Sequence, residues 1–292
     1  MKTLIRLTAL IALGLPAFAQ EHDHAKTATD AKAAVPTILA AQTTCPISGE
    51  VLEDKTNFVD YEGQRVYVCC KKCVKKFTAF PDKFISAMAK SGQAVENTQT
   101  TCVVSGEELD EDAVTLAFGN KTIKVCCKKC AKKVNAEPIK YFDKLEGRKA
   151  QERCAVMGGK IIPENSFVVN GTHVDQCCPG CEKKWRADPG KYFSKLAEQK
   201  IVLQPASDRC PVMPKMAVKD RRYFVTMGAR RFYFCSEGTR TKFLESPEKY
   251  LKNLDKMPET GPPPAAVKKV MEKAGHEATA HDGAANHGTS NS

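Results

Sequence analysis

Small α+β repeats are the fold class that this sequence predicts, and three observations predict it. Cysteines recur in a fourfold pattern, two short β-prone stretches precede each cysteine cluster, and a proline-interrupted stretch of helical periodicity follows it. The cysteines are Cys45, Cys69, Cys70 and Cys73; Cys102, Cys126, Cys127 and Cys130; Cys154, Cys177, Cys178 and Cys181; and finally Cys210 and Cys235. First cysteines lie 57, 52 and 56 residues apart, and Cys45-Pro46-Ile47-Ser48-Gly49 is matched by Cys102-Val103-Val104-Ser105-Gly106. Cys154-Ala155-Val156-Met157-Gly158 and Cys210-Pro211-Val212-Met213 are the other two versions. The predicted modules are 43–90, 100–148, 152–199 and 208–256.

Ahead of the modules, Lys2 and Arg6 precede an apolar run from Leu7 to Leu15, then Pro16-Ala17-Phe18-Ala19 and Gln20. That order of charge, apolar run and small residues predicts a signal peptide over 1–19, cleaved after Ala19. The run is too short to span a bilayer, and no later segment approaches the roughly 20 apolar residues that a crossing needs. An exported, periplasmic chain without a stable membrane span is therefore expected. A formal net charge of +11 would suit nucleic acid. Export, and the concentration of lysines beside cysteines, argue against that partner.

Residues 20–42 read as a disordered linker. In the first module Phe58-Val59-Asp60-Tyr61 and Arg65-Val66-Tyr67-Val68 flank Glu62-Gly63, and in the third Phe167-Val168-Val169 precedes Asn170-Gly171. Both are hairpin signals. After the hairpin, Cys73, Phe77, Phe84 and Met88 keep one helical face apolar, with a break near Pro81. Pro138, Pro189 and Pro247 follow Glu137, Asp188 and Ser246, an acid or hydroxyl before proline that marks a helix start. Each module is thus a β-hairpin followed by one or two short helices, with Phe77, Trp185, Phe243, Tyr192 and Tyr250 as core. Beyond 256, Pro262-Pro263-Pro264 opens a tail of Gly, Ala, Asn and Ser carrying His276, His281 and His287. With His22 and His24 at the other end, this composition predicts disordered, histidine-bearing termini, 257–292 being the second. His173, just after the Asn170-Gly171 turn, reads as an exposed strand residue.

A module of about 48 residues is too small for apolar burial alone to hold it comfortably, so the cysteines are expected to stabilise it. Closing the hairpin brings the first cysteine to the cluster at the strand-to-helix junction, the way zinc knuckles are built. Thiolates suit tetrahedral Zn(II) and, being soft, also Cu(I). Lys71, Lys72, Lys75 and Lys76 surround Cys73, and Lys128, Lys129, Lys132 and Lys133 surround Cys130. Cations there offset the charge of a multi-thiolate site and favour thiolate over thiol.

The order of one cysteine, a hairpin, an aromatic-rich strand, Cys-x3-Cys, an aromatic four residues on, and proline followed by an aromatic resembles the TRASH and YHS modules of heavy-metal sensing, trafficking and resistance. Cys45, Cys69 and Cys73 match that pattern, as do Cys102, Cys126 and Cys130, and Cys154, Cys177 and Cys181. Cys154 to Lys160 with Cys177-Cys178-Pro179-Gly180-Cys181 is similar to versions found in bacterial metal-efflux proteins. The resemblance implies metal handling on a zinc-knuckle or treble-clef-like module, without naming the metal. Many such knuckles carry a second cysteine three residues after the first, where this chain has Ser48, Ser105, Met157 and Met213. Cys70, Cys127 and Cys178 are then candidates for a fourth sulfur. The fourth module keeps Cys210 and Cys235 but places Ser236 and Thr239 where other sulfurs would be, so it is expected to bind metal weakly or to cap the array. Met157 and Met213 are weaker candidate ligands.

The expected function is an exported copper- or zinc-binding protein for buffering, sequestration or trafficking, with about one ion per intact module. An envelope efflux or acceptor protein is the expected partner. Two alternatives stand beside it. Even numbers of exported cysteines commonly form disulfides, which would make a structural or interaction module. Cys70-x2-Cys73, Cys127-x2-Cys130 and Cys178-Pro179-Gly180-Cys181 have the spacing of thiol oxidoreductases. No acid–base set recurs among the modules, and neither a phosphate loop nor a Ser/His/Asp arrangement is present, so an enzyme is not expected.

Overall fold

The hairpin turns determine where each pair of strands begins. In the computed structural model, which describes residues 39–260, Glu62 and Gly63 take φ of 53° and 75°, and Asn170 and Gly171 take 49° and 68°. Two successive left-handed residues twist the chain to match the strands they join. Strand β1 (Phe58–Tyr61) accordingly pairs antiparallel with β2 (Gln64–Tyr67), Phe58 opposite Tyr67. Helices α1 (Lys71–Ala79) and α2 (Pro81–Lys90) follow, and a two-residue strand β3 (Glu96–Asn97) adds to the free edge of β2.

The same succession of hairpin and two helices occurs three more times. It comprises β4 (Val114–Phe118), β5 (Lys121–Val125), α3 (Lys128–Ala136) and α4 (Pro138–Glu146), then β6 (Ile162–Val169), β7 (Thr172–Gln176), α5 (Gly180–Ala187) and α6 (Pro189–Glu198). The last set is β8 (Phe224–Met227), β9 (Arg230–Tyr233), α7 (Glu237–Glu245) and α8 (Pro247–Leu251), closed by a 3-10 turn over Leu254–Lys256. Proline begins the second helix each time, where its missing N–H costs nothing. Of the acid or hydroxyl residues before proline, Asp188 caps through its side chain, accepting from Lys191 N at 3.0 Å, whereas Glu137 and Ser246 do not. No helix among the described residues is long and apolar enough to cross a membrane.

Phe77, Phe142, Trp185 and Phe243 are fully buried, each at the centre of its module. The cores are not self-contained. Phe224 and Tyr233 of the fourth hairpin enter the second module's core beside Phe142, and Ala229 enters the third module's core beside Trp185. Backbone bonds of the connecting segments tie the chain together as well, with Leu203 N donating to Ala229 O at 2.7 Å and Lys149 N to Lys200 O at 3.0 Å.

Buried ions complete the union. Lys121 of the second module donates to Glu62 at 2.5 Å and Asp82 at 2.8 Å, both from the first and both fully buried. Arg148 also pairs with Glu62, Arg231 of the fourth module with Asp143 at 2.5 Å, and Arg240 with Asp82 at 3.7 Å. Burial alone would push the Glu62 carboxyl up, but Lys121 and Arg148 outweigh it and hold it down at about 2.

The segments expected to be linkers are partly structural. Gln42 is buried, Ala94 N donates to Ala40 O, and Thr260 N donates to Ala206 O, so the ordered chain starts before 43 and continues past 256. His173 is half-buried rather than exposed, with Nε2 enclosed and without a partner among the described residues, and burial lowers its pKa. The expected signal peptide, the linker up to residue 38, His22, His24, and the tail from 261 with His276, His281 and His287 lie outside the described residues.

Candidate metal centres

Each of the first three modules builds a tight turn immediately after its first cysteine. Cys45 N donates to Glu50 O and Gly49 N back to Cys45 O; Cys102 with Glu107 and Gly106, and Cys154 with Gly159 and Gly158, repeat this at 2.7–2.9 Å. Gly49, Gly106 and Gly158 have φ of 79°, 81° and 73°, a region that side chains avoid, so glycine is required there. The turn presents the first cysteine's sulfur inward, towards the start of α1, α3 or α5.

A glutamine three residues before the first cysteine aligns the turn with the hairpin. Gln42 donates to Tyr67 O at 2.7 Å and accepts from Tyr67 N at 2.9 Å. Gln99 makes the same pair with Lys124, and Gln151 with Asp175. Each partner lies two residues before the second cysteine, so one amide mimics a strand neighbour and sets the distance between the two halves of the site. The repeated Gln-x2-Cys spacing was the available signal for these residues.

The result is three groups of three cysteines: Cys45, Cys69 and Cys73; Cys102, Cys126 and Cys130; and Cys154, Cys177 and Cys181, with all sulfurs of a group within 4.8 Å of one another. Close separations are 3.7 Å for Cys69 and Cys73, 3.8 Å for Cys126 and Cys130, 3.7 Å for Cys154 and Cys181, and 3.9 Å for Cys177 and Cys181. Ligands about 2.3 Å from a tetrahedral zinc stand about 3.8 Å apart, so each group already has the size of one metal's coordination shell. All 14 cysteines are free thiols. The groups can hold a metal ion.

Cys70 and Cys127 fall outside these groups, at the N-cap positions of α1 and α3, without a side-chain cap bond. Cys178 also falls outside, although its sulfur lies 3.3 Å from that of Cys181. A serine hydroxyl borders one of the sulfurs in each of the first two modules. Ser48 Oγ lies 3.3 Å from Cys69 Sγ and donates to Glu50; Ser105 Oγ lies 3.5 Å from Cys126 Sγ and donates to Glu107. Glu50 and Glu107 thus border the cysteine groups through these hydroxyls, a neighbourhood that cysteine spacing did not reveal.

Charge is unevenly shared within a group. Burial opposes ionisation of Cys45, but the Ser48 hydroxyl and the amides of Cys69, Ser48 and Ile47 outweigh it and lower the thiol to about 7. Cys102 comes down to about 6, against its burial, through Ser105 and neighbouring amides, and Cys154 is lowered, again against its burial, by the amides of Met157, Cys177 and Val156 and by the Cys177 thiol. Cys73 and Cys181 are pushed well up by burial and by the thiols around them. The first cysteine of each group is thus the more readily ionised, and binding of a metal would displace the protons of its neighbours. The eight lysines of α1 and α3 are exposed, and none enters an ion pair among the described residues.

The fourth module has no third cysteine. Thr239 stands in its place with Oγ1 3.6 Å from Cys235 Sγ, and Met213 Sδ lies 4.0 Å from the same sulfur. Met157, at the corresponding position of the third module, is 63% exposed with Sδ 4.0 Å from Lys184 Nζ. Fold and site together define a mixed α+β chain of small antiparallel hairpins with repeated cysteine clusters of metal-binding size. Comparison with protein-family models, curated proteins and solved structures finds no match. The resemblance to TRASH and YHS modules therefore rests on its own motif residues.

Proposed function

We propose that this chain is an exported metal-binding protein of tandem TRASH/YHS-like, treble-clef-like modules, which holds copper or zinc on cysteine thiolates. Its work is buffering, sequestration or handover rather than catalysis. The supporting observation is that each group gathers sulfurs from both sides of its hairpin within 4.8 Å of one another, with close pairs at 3.7–3.9 Å. That separation matches the edge of a thiolate tetrahedron and exceeds by far the roughly 2 Å of a disulfide. Periplasmic residence follows from the leader, and an efflux or acceptor protein of the envelope is the proposed recipient. The exposed lysines of α1 and α3 would meet an acidic partner surface beside the metal.

Titration of the reduced full chain with Zn(II), against a coloured chelator, tests the reading. Three tight equivalents are expected, one per cysteine group, and Cys181→Ser should remove one of them. No tight binding, or an unchanged count in the variant, overturns the proposal. The 3.3 Å approach of Cys178 and Cys181 at a helix start favours a second reading as a thiol oxidoreductase. Rapid exchange of that pair with a protein disulfide, in a chain that binds no metal, would establish it instead.

A further inference from the structure

Methionine follows the first cysteine by three residues in the third and fourth modules, yet only the fourth turns it towards a cysteine. Met213 Sδ is 4.0 Å from Cys235 Sγ, while Met157 Sδ contacts Lys184. The turn accounts for the difference. Cys154 N closes on Gly159 O, whereas Cys210 N closes on Met216 O, a loop one residue longer in which Met213 N donates to Cys210 O at 3.1 Å. Pro214 stands where the left-handed glycine of the other turns would be.

Cys210 is fully buried, and Cys235 packs against the same core. Thr239 does not substitute for the missing thiol. Its hydroxyl donates to Ser236 O at 2.9 Å and completes a capping box with Ser236 at the start of α7, which ties it to the helix. Cys235 is therefore bordered by a thioether at 4.0 Å and by a hydroxyl at 3.6 Å that is engaged in capping the helix.

From this placement we infer that the fourth module is a soft-metal site, in which Cys210, Cys235 and Met213 take Cu(I) in preference to Zn(II). Two thiolates and a thioether select Cu(I), while zinc sites draw on thiolate, imidazole and carboxylate. In the first two modules a carboxylate and a hydroxyl border the three sulfurs, whereas the hydroxyl nearest Cys235 in the fourth, that of Thr239, is engaged in the capping box. The inference deepens the metal-binding reading of the chain and rests on it only for the chain's exposure to metal ions. It assigns the module that lacks a full cysteine set to a different metal rather than to none.

The test uses the full chain labelled with 13C at its methionine methyl groups, reduced and kept anaerobic. The Met213 signal is assigned as the one lost in Met213→Leu, a change that conserves volume at a partly exposed position. Added Cu(I) should shift that signal, Zn(II) should leave it in place, and Cys235→Ser should abolish the Cu(I) shift. A Met213 signal indifferent to Cu(I), or shifted equally by both metals, overturns the inference. Zinc stoichiometry in the same sample reports the three cysteine groups separately, so failure there and failure at Met213 are distinguishable.

Discussion

At the residue scale, cysteines three residues apart have different work because one lies inside the sulfur group and the other stands at a helix N-cap position. Cys70 is lowered by the amide and thiol of Cys73 and stands partly exposed, while Cys73 is buried and raised by burial and by its neighbours' sulfurs. Cys127 and Cys130 repeat the contrast. Cys45 is also thiolate-prone, but at 1% exposure a reagent cannot reach it. Reactivity needs both thiolate and access. Brief treatment of the metal-free chain with iodoacetamide should therefore modify Cys70 and Cys127 first and Cys73 and Cys130 last, as read by peptide mass mapping. Equal labelling within each pair would show that helix-start amides do not tune these thiols.

At the element scale, the turn and the hairpin are separate pieces that one glutamine aligns. Gln42 is buried and satisfies both backbone groups of Tyr67. Replacing it by leucine leaves an N–H and a C=O unpaired, at a cost of about 1–3 kcal/mol. Gln42→Leu should weaken metal binding by the first module alone and speed amide exchange at Tyr67, with the other two groups unchanged. A uniform loss across all three groups would show that the amide matters to overall stability rather than to its own site. The hairpins and helices were legible because Glu62-Gly63, Asn170-Gly171 and the prolines carry their own local signals. Gln42, Gln99 and Gln151 were marked only by their repeated Gln-x2-Cys spacing, since a polar residue before a cysteine gives no sign of the strand it will meet.

At the scale of the whole molecule, the modules are fused through Lys121, Glu62, Asp82, Arg148, Asp143, Arg231 and Arg240. Removing one member of a buried charge group is severe, about 3–5 kcal/mol, because the remaining charge is left uncompensated. Lys121→Met should lower the unfolding temperature markedly, whereas a change at Arg65, whose pairing with Asp60 is exposed, should alter it little. The pH dependence has a definite sign. Glu62 lies at about 2 in the folded chain against an ordinary 4.5, so its contribution is complete above about 4.5 and drains away as pH falls towards about 2. Denaturant unfolding followed down that range should show the loss in the parent chain and a smaller one in Lys121→Met. Parallel curves would separate the ionic group from acid stability.

The amino-acid sequence by itself determined the fourfold pattern, the hairpin–helix–helix order and that the first cysteine of a module meets the cluster after its hairpin, because spacing, turn residues and apolar periodicity act within a few tens of residues. Only the tertiary structure decided which three of four cysteines form a group, that Glu50 and Glu107 approach the sulfurs, and that Met213 faces Cys235 while Met157 does not. It also decided that Phe224 and Tyr233 complete the second module's core and that Lys121 joins carboxylates of the first. The physical reason is the same in each case. A side chain's direction and the partner of a buried charge depend on segments far away in the chain, whose approach no local pattern encodes.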